Sequence, residues 1–158
     1  MRHLDSGLYS RVYDLRMTNP SVNTLKIGAV AKAADVSIDT VRFYESRGLL
    51  PEPARTAAGY RLYDLSTVER LSFIGRAKDL GFTLNEIVLL LELQDKGGAK
   101  ADVRAITNAK LEQIDRKIQD LQRMRKVLGQ LNSDCSGEGT VDGCPIIEAL
   151  AEGDHCCD

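Results

Sequence analysis

The first 134 residues of the chain contain no cysteine; all four, Cys135, Cys144, Cys156 and Cys157, come after them. Disulfides therefore do not support the amino-terminal region, and a late cluster of thiols favours metal or redox chemistry over a structural framework. Histidine is scarcer still, with only His3 and His155, near opposite ends. No Ser/His/Asp set and no paired-carboxylate arrangement emerges, so the sequence does not read as an enzyme. No apolar run approaches the roughly 20 residues that span a bilayer. The first residues also lack the apolar core and cleavage site of a signal peptide. These absences lead us to expect a cytoplasmic protein with no membrane partner. Charge of one sign is missing too. The net charge is −2, and Leu25 to Leu80 holds nine Lys/Arg against seven Asp/Glu. Any argument for nucleic acid must rest on where the cations sit.

What is present is mostly helical punctuation. Residues 1–24 show no sustained period and read as a disordered leader. From Leu25, with Ile27, Val30 and Ala31 at helical spacing, one helix runs to a break at Ala34-Asp35-Val36-Ser37. Ser37 is placed to cap a second helix, with Asp39 in the first turn where the macrodipole favours acid, and Gly48 stops it. Two short helices around a tight turn make a helix-turn-helix candidate, a pattern shared by many small helical domains. Pro51 to Tyr63 follows, punctuated by Pro and Gly and ending in alternation, and reads as a hairpin or wing. Arg55, Tyr60 and Arg61 cluster there; Arg forks onto phosphate and a Tyr hydroxyl can donate to it. Tyr63 is better placed in the core. A helix opened by Ser66 and closed by Gly81, then one capped by Thr83, carry the remaining apolar rows before Gly97-Gly98 breaks the chain.

The longest pattern runs from about Ala101 to Asn132. Leu111, Ile114, Ile118, Leu121, Met124, Leu128 and Leu131 recur every three or four residues, the seam of a coiled coil. What remains of the chain is too short to cover such a stripe, so an antiparallel homodimer is the expected solution. Immediately after it, Cys135 and Cys144 bracket a loop of Gly, Ser, Thr and acidic residues, a candidate ligand site at the end of a rod.

Four segments together resemble the MerR family of transcription regulators. They are Leu25-Lys-Ile-Gly-Ala-Val-Ala-Lys, Val41-Arg-Phe-Tyr-Glu-Ser-Arg-Gly-Leu-Leu50, Gly59-Tyr-Arg-Leu-Tyr63 and Ala77-Lys-Asp-Leu-Gly-Phe82. The ending Cys144-Pro-Ile-Ile-Glu-Ala-Leu150 is similar to the metal-sensing branch, most nearly its copper/silver/gold responders. The resemblance implies a mainly α protein: a winged helix-turn-helix DNA-binding domain over 25–96, an antiparallel coiled-coil dimerisation helix over 97–132, a metal-binding loop and short helix over 133–150, and a mobile tail over 151–158. It further implies a homodimer on promoter double-stranded DNA that distorts the duplex for RNA polymerase once metal is bound. Arg42 and Tyr44 would belong to the recognition helix; Arg55, Tyr60 and Arg61 would grip the backbone from the wing, and Lys78 from the next helix.

For the metal, Cys135 and Cys144 match the two loop thiolates of such sensors. Thiolates select soft ions. Divalent sensors of the family generally borrow a further Cys from the partner at the start of the dimer helix, where this chain has Lys100. Two thiolates leave a net −1 on Cu(I) or Ag(I) and a neutral pair on a divalent ion, and Lys100 could compensate the former. The expectation is thus Cu(I) or Ag(I), activating metal efflux or detoxification genes, with Zn(II), Cd(II) or Hg(II) as the alternative. Two departures count against it: copper responders usually carry Ser at the Lys100 position, and the loop is one residue longer than usual there, matching mercury sensors. His155, Cys156 and Cys157 are possible auxiliary ligands, and a thiol redox switch at Cys135 and Cys144 is a rival mechanism.

Overall fold

The computed structural model describes residues 24–151; the expected leader and the His155-Cys156-Cys157 tail lie outside the described residues. The chain divides into two units, one ending at Val103 and one beginning at Arg104. In order, the elements are β1 (Thr24–Lys26), α1 (Ile27–Ala33), α2 (Ile38–Ser46), β2 (Ala54–Arg55), β3 (Arg61–Asp64), α3 (Ser66–Asp79), α4 (Leu84–Lys96), α5 (Lys100–Asp134) and α6 (Pro145–Ala151). Among the described residues, no helix is long and apolar enough to cross a membrane.

The first unit is a winged helix-turn-helix. Ser37 accepts from the Thr40 amide at 3.0 Å and starts α2 with Asp39 in its first turn, as the capping pattern predicts. The wing is β2 and β3, antiparallel, with Ala54 opposite Leu62 and Arg55 opposite Arg61. A third strand was missed. Thr24 and Leu25, read as the end of the leader and the start of a helix, instead pair in β1 with Asp64 and Tyr63 of β3. Three residues are too few to show a period of two, and Ile27, Val30 and Ala31 imposed their helical spacing on Leu25.

The core is built from Val30, Val41, Leu49, Tyr63, Val68, Leu71, Ile74, Ile87 and Leu91, drawn from α1, α2, β3, α3, α4 and the segment after α2. Arg70 of α3 fastens its edge. Its Nε donates to the Leu49 carbonyl at 2.6 Å, and its two terminal nitrogens donate to both carboxylate oxygens of Asp95, each at 2.8 Å. Hydrogen bonding from Arg70 holds the Asp95 carboxyl below its usual range. A full capping box, Thr83 with Glu86, opens α4.

Gly97 closes α4 in the left-handed region, at φ 71° and ψ 42°, donating to the Leu93 carbonyl. A Cβ there would meet nothing within 4 Å, so the cost of Gly97→Ala is purely backbone. We expect it to lower unfolding stability by about 1 kcal/mol, read by urea denaturation at fixed protein concentration.

Helix α5 is 35 residues long, or roughly 52 Å at the helical rise. Its apolar row stands open: Leu111, Ile114, Ile118, Leu121, Met124 and Leu128 are all exposed, and Val127 joins them. Lys110 is buried, its Nζ donating to Gln113 Oε1 at 3.0 Å.

Candidate functional site

Two sets of side chains carry chemistry, one in each unit. In the first, α2 and the wing present cations. Arg42 is exposed on α2, with only a long 3.8 Å pairing to Asp39. Phe43 beside it is exposed, with the Arg47 guanidinium 5.4 Å above its ring. Arg55 is exposed on β2 and reaches the Gly59 carbonyl at 3.4 Å, across the turn of the wing. Tyr60 at the tip is 66% exposed, with the Lys26 ammonium 5.9 Å from its ring. Lys78 is exposed near the end of α3. These side chains are open to a polyanion, which binds through such fork and point cations.

Tyr44, on the same helix, is placed differently from Arg42. It is 7% exposed and belongs to the core cluster, with Phe43 tilted against it at 5.7 Å between ring centroids. Val41 and Tyr44 lie three apart on the buried stripe of α2, whereas Arg42 and Phe43 face outward. Tyr44 therefore seats the helix and does not extend from it.

Sequence reasoning also missed Glu45. Its carboxylate accepts from Arg61 Nε at 3.0 Å through Oε1 and from the Tyr63 hydroxyl at 2.8 Å through Oε2. Burial, then the hydrogen bond to Glu45, pushes the Tyr63 phenol up to about 12. A glutamate near a helix end reads as a solvated charge. Only the pairing of residues 16 and 18 positions apart reveals otherwise.

In the second unit, the Cys135 amide donates to the Leu131 carbonyl at 3.2 Å, extending the pattern of α5 by one residue. Cys144 sits just ahead of α6, where its carbonyl accepts from the Glu148 amide at 2.9 Å. Gly143 before it, at φ 76°, makes the left-handed turn that delivers the chain to α6. The Cys144 thiol is held below the usual thiol range. The Ile147 amide is the largest cause, followed by the Ile146 amide, and then by a hydrogen bond from the side chain of Cys135. The two sulfurs are therefore neighbours, and the amides favour the thiolate form of Cys144. That donor set fits a soft cation.

Both cysteines are free and half-buried. Among the described residues, no group of three or more His, Cys, Asp or Glu is arranged to hold a metal ion. The possible auxiliary ligands His155, Cys156 and Cys157 lie outside those residues. Lys100, expected to balance charge near the thiolates, is the exposed first residue of α5 and falls in the other unit.

Comparison with known proteins gives this geometry a context. The family described as MerR HTH family regulatory protein matches residues 25–94, and the one described as MerR, DNA binding matches residues 68–131. The chain is 47% identical over 126 residues to the mercuric resistance operon regulatory protein of Bacillus cereus, covering 79% of this chain and 96% of that protein. In structure it is similar to the transcription regulator PbrR691 of Ralstonia metallidurans in complex with lead(II). The TM-score is 0.73 at 39% identity, over 80% of this chain and 98% of that one. It is similar as well to the dual-function regulator MerR of Bacillus megaterium in complex with mercury(II). There the TM-score is 0.61 at 42% identity, over 77% and 94%.

Proposed function

The chain belongs to the MerR family of helix-turn-helix regulatory proteins, and on that footing we propose how this metal-responsive transcriptional regulator works. It binds promoter DNA as a homodimer and switches transcription when a soft divalent ion, Hg(II) first, is taken up by Cys135 and Cys144. The observation that carries this reading is the thiol pair itself: two neighbouring sulfurs, with the Cys144 thiol lowered by the first amides of α6. Bound there, a soft cation would be held by charge and polarisable sulfur, in exchange for the thiol protons. On this reading Arg42, Arg55, Tyr60, Arg61 and Lys78 hold the duplex, and the exposed row of α5 joins two copies. RNA polymerase reads the deformed promoter.

The sequence favoured Cu(I) or Ag(I); the relatives favour the divalent alternative. The Bacillus cereus relative is named for mercuric resistance, and the two similar structures hold lead(II) and mercury(II). The loop length, which departs from copper responders, points the same way. Two thiolates on Hg(II) form a neutral pair, so a divalent ion needs no compensating Lys100. Anaerobic titration of the reduced protein with Hg(II), Pb(II), Cd(II), Zn(II), Cu(I) and Ag(I), alongside a promoter reporter at sub-inhibitory doses of each, tests the assignment. Hg(II) should give the strongest induction. Induction by Cu(I) or Ag(I) without Hg(II) would restore the copper reading, and induction by oxidant alone would make the pair a redox switch.

A further inference from the structure

Arg42 and Arg55 are exposed with weak, local partners, but Arg61 is held differently. Arg61 is only 37% exposed, and its Nε is fixed on a carboxylate that is itself 18% exposed. The carboxylate, Glu45, belongs to the last turn of α2, so this contact joins the recognition helix to β3. The same group accepts from Tyr63, whose ring is 2% exposed and packed in the core. Glu45 thus has a fixed end in the core and a second bond to the wing. It engages the guanidinium through Nε, the inner nitrogen, and not through the terminal nitrogens of the fork.

We propose that Glu45 is a positioning residue for DNA binding, setting the Arg61 guanidinium against a backbone phosphate and fixing the wing relative to the recognition helix. The proposal rests on the reading of this surface as a DNA interface. It makes a prediction opposite in sign to simple electrostatics. A carboxylate near a polyanion opposes binding, so deleting it should tighten the complex. If it positions Arg61, deleting it should loosen the complex.

The test uses the full-length protein and a fluorescent duplex enriched by the wild-type protein from a random-sequence library. Affinity is measured by anisotropy across a salt series. Glu45→Ala should weaken binding by at least about tenfold. It should also flatten the salt slope by about 1.8, from two phosphate contacts per dimer at ~0.9 each. Arg61→Ala should do the same, and the double variant should be no worse than Arg61→Ala alone. Glu45→Gln should restore both affinity and slope, because its carbonyl can accept from Arg61 while its amide donates to the Tyr63 oxygen.

Glu45→Ala leaves the buried Tyr63 hydroxyl without its acceptor. The substitution is therefore repeated in Tyr63→Phe, which has no hydroxyl to strand, with thermal melts confirming the folded state of each. A loss of folding alone would reduce the active fraction without changing the slope. Unchanged or tighter binding by Glu45→Ala in either background, or additive losses with Arg61→Ala, overturns the proposal. Failure of the wild-type protein to enrich any duplex overturns the DNA reading beneath it instead.

Discussion

Cys144→Ser should abolish the metal response while leaving promoter occupancy intact. A serine hydroxyl is a hard donor that stays protonated near neutral pH, so the substitution removes the soft, anionic half of the site without altering its shape. Substitutions that only touch the partners of a ligand cost about 10–100-fold in metal affinity, so removal of the ligand itself should exceed ~100-fold. The side chains proposed to hold DNA lie in the other unit, so DNA binding should survive. A reporter that still responds to Hg(II) in Cys144→Ser would refute the site.

The pH dependence of the same sulfur is a second arm of that experiment. The Ile147 and Ile146 amides lower the Cys144 thiol in the folded chain, so its thiolate persists to lower pH than in the unfolded chain. Alkylation follows the thiolate. In a variant whose other three cysteines are Ser, half-maximal iodoacetamide reactivity should therefore fall at lower pH in native protein than in urea. Equal midpoints would remove the role assigned to the two amides.

Local chemistry was legible before the structure. Ser37, Thr83, Gly48 and Gly97 announced helix ends because capping and left-handed turns depend on residues only a few positions apart. The apolar row of α5 and the bracketing of a loop by Cys135 and Cys144 were legible for the same reason. What escaped depends on distance along the chain. Glu45 meets Arg61 and Tyr63, Arg70 meets Asp95 across 25 positions, and β1 exists only because β3 pairs with it. Arg-Phe-Tyr alone does not say which of three consecutive side chains turns inward; it is Tyr44. The metal is less legible for a different reason. Two thiolates accept any soft ion, and the sequence features that bear on the choice pull apart, Lys100 toward a monovalent ion and the loop length toward mercury sensors.

The α5 seam carries the other large effect. Ile118 and Leu121 are 47% and 53% exposed in the single chain, far too much for the centre of a helix whose apolar residues keep a regular three-four spacing. Replacing both with Glu preserves helix propensity, so the helix itself should persist. The dimer should not. Each side chain has about half its surface left to bury, and two copies contribute four. The lost burial is about 3–6 kcal/mol per dimer, or ~10²–10⁴-fold in the dissociation constant. The four introduced carboxylates add the cost of desolvating like charges side by side. Sedimentation at micromolar concentration should then find monomer. Promoter affinity should fall with it, since paired half-sites need two recognition helices held at a fixed spacing. Arg116→Gln, on the opposite face at 100° per residue, should change neither and controls for the loss of a charge pattern. A double-Glu variant that sediments as the wild-type dimer would show that the row meets some other partner and that the dimer is built elsewhere.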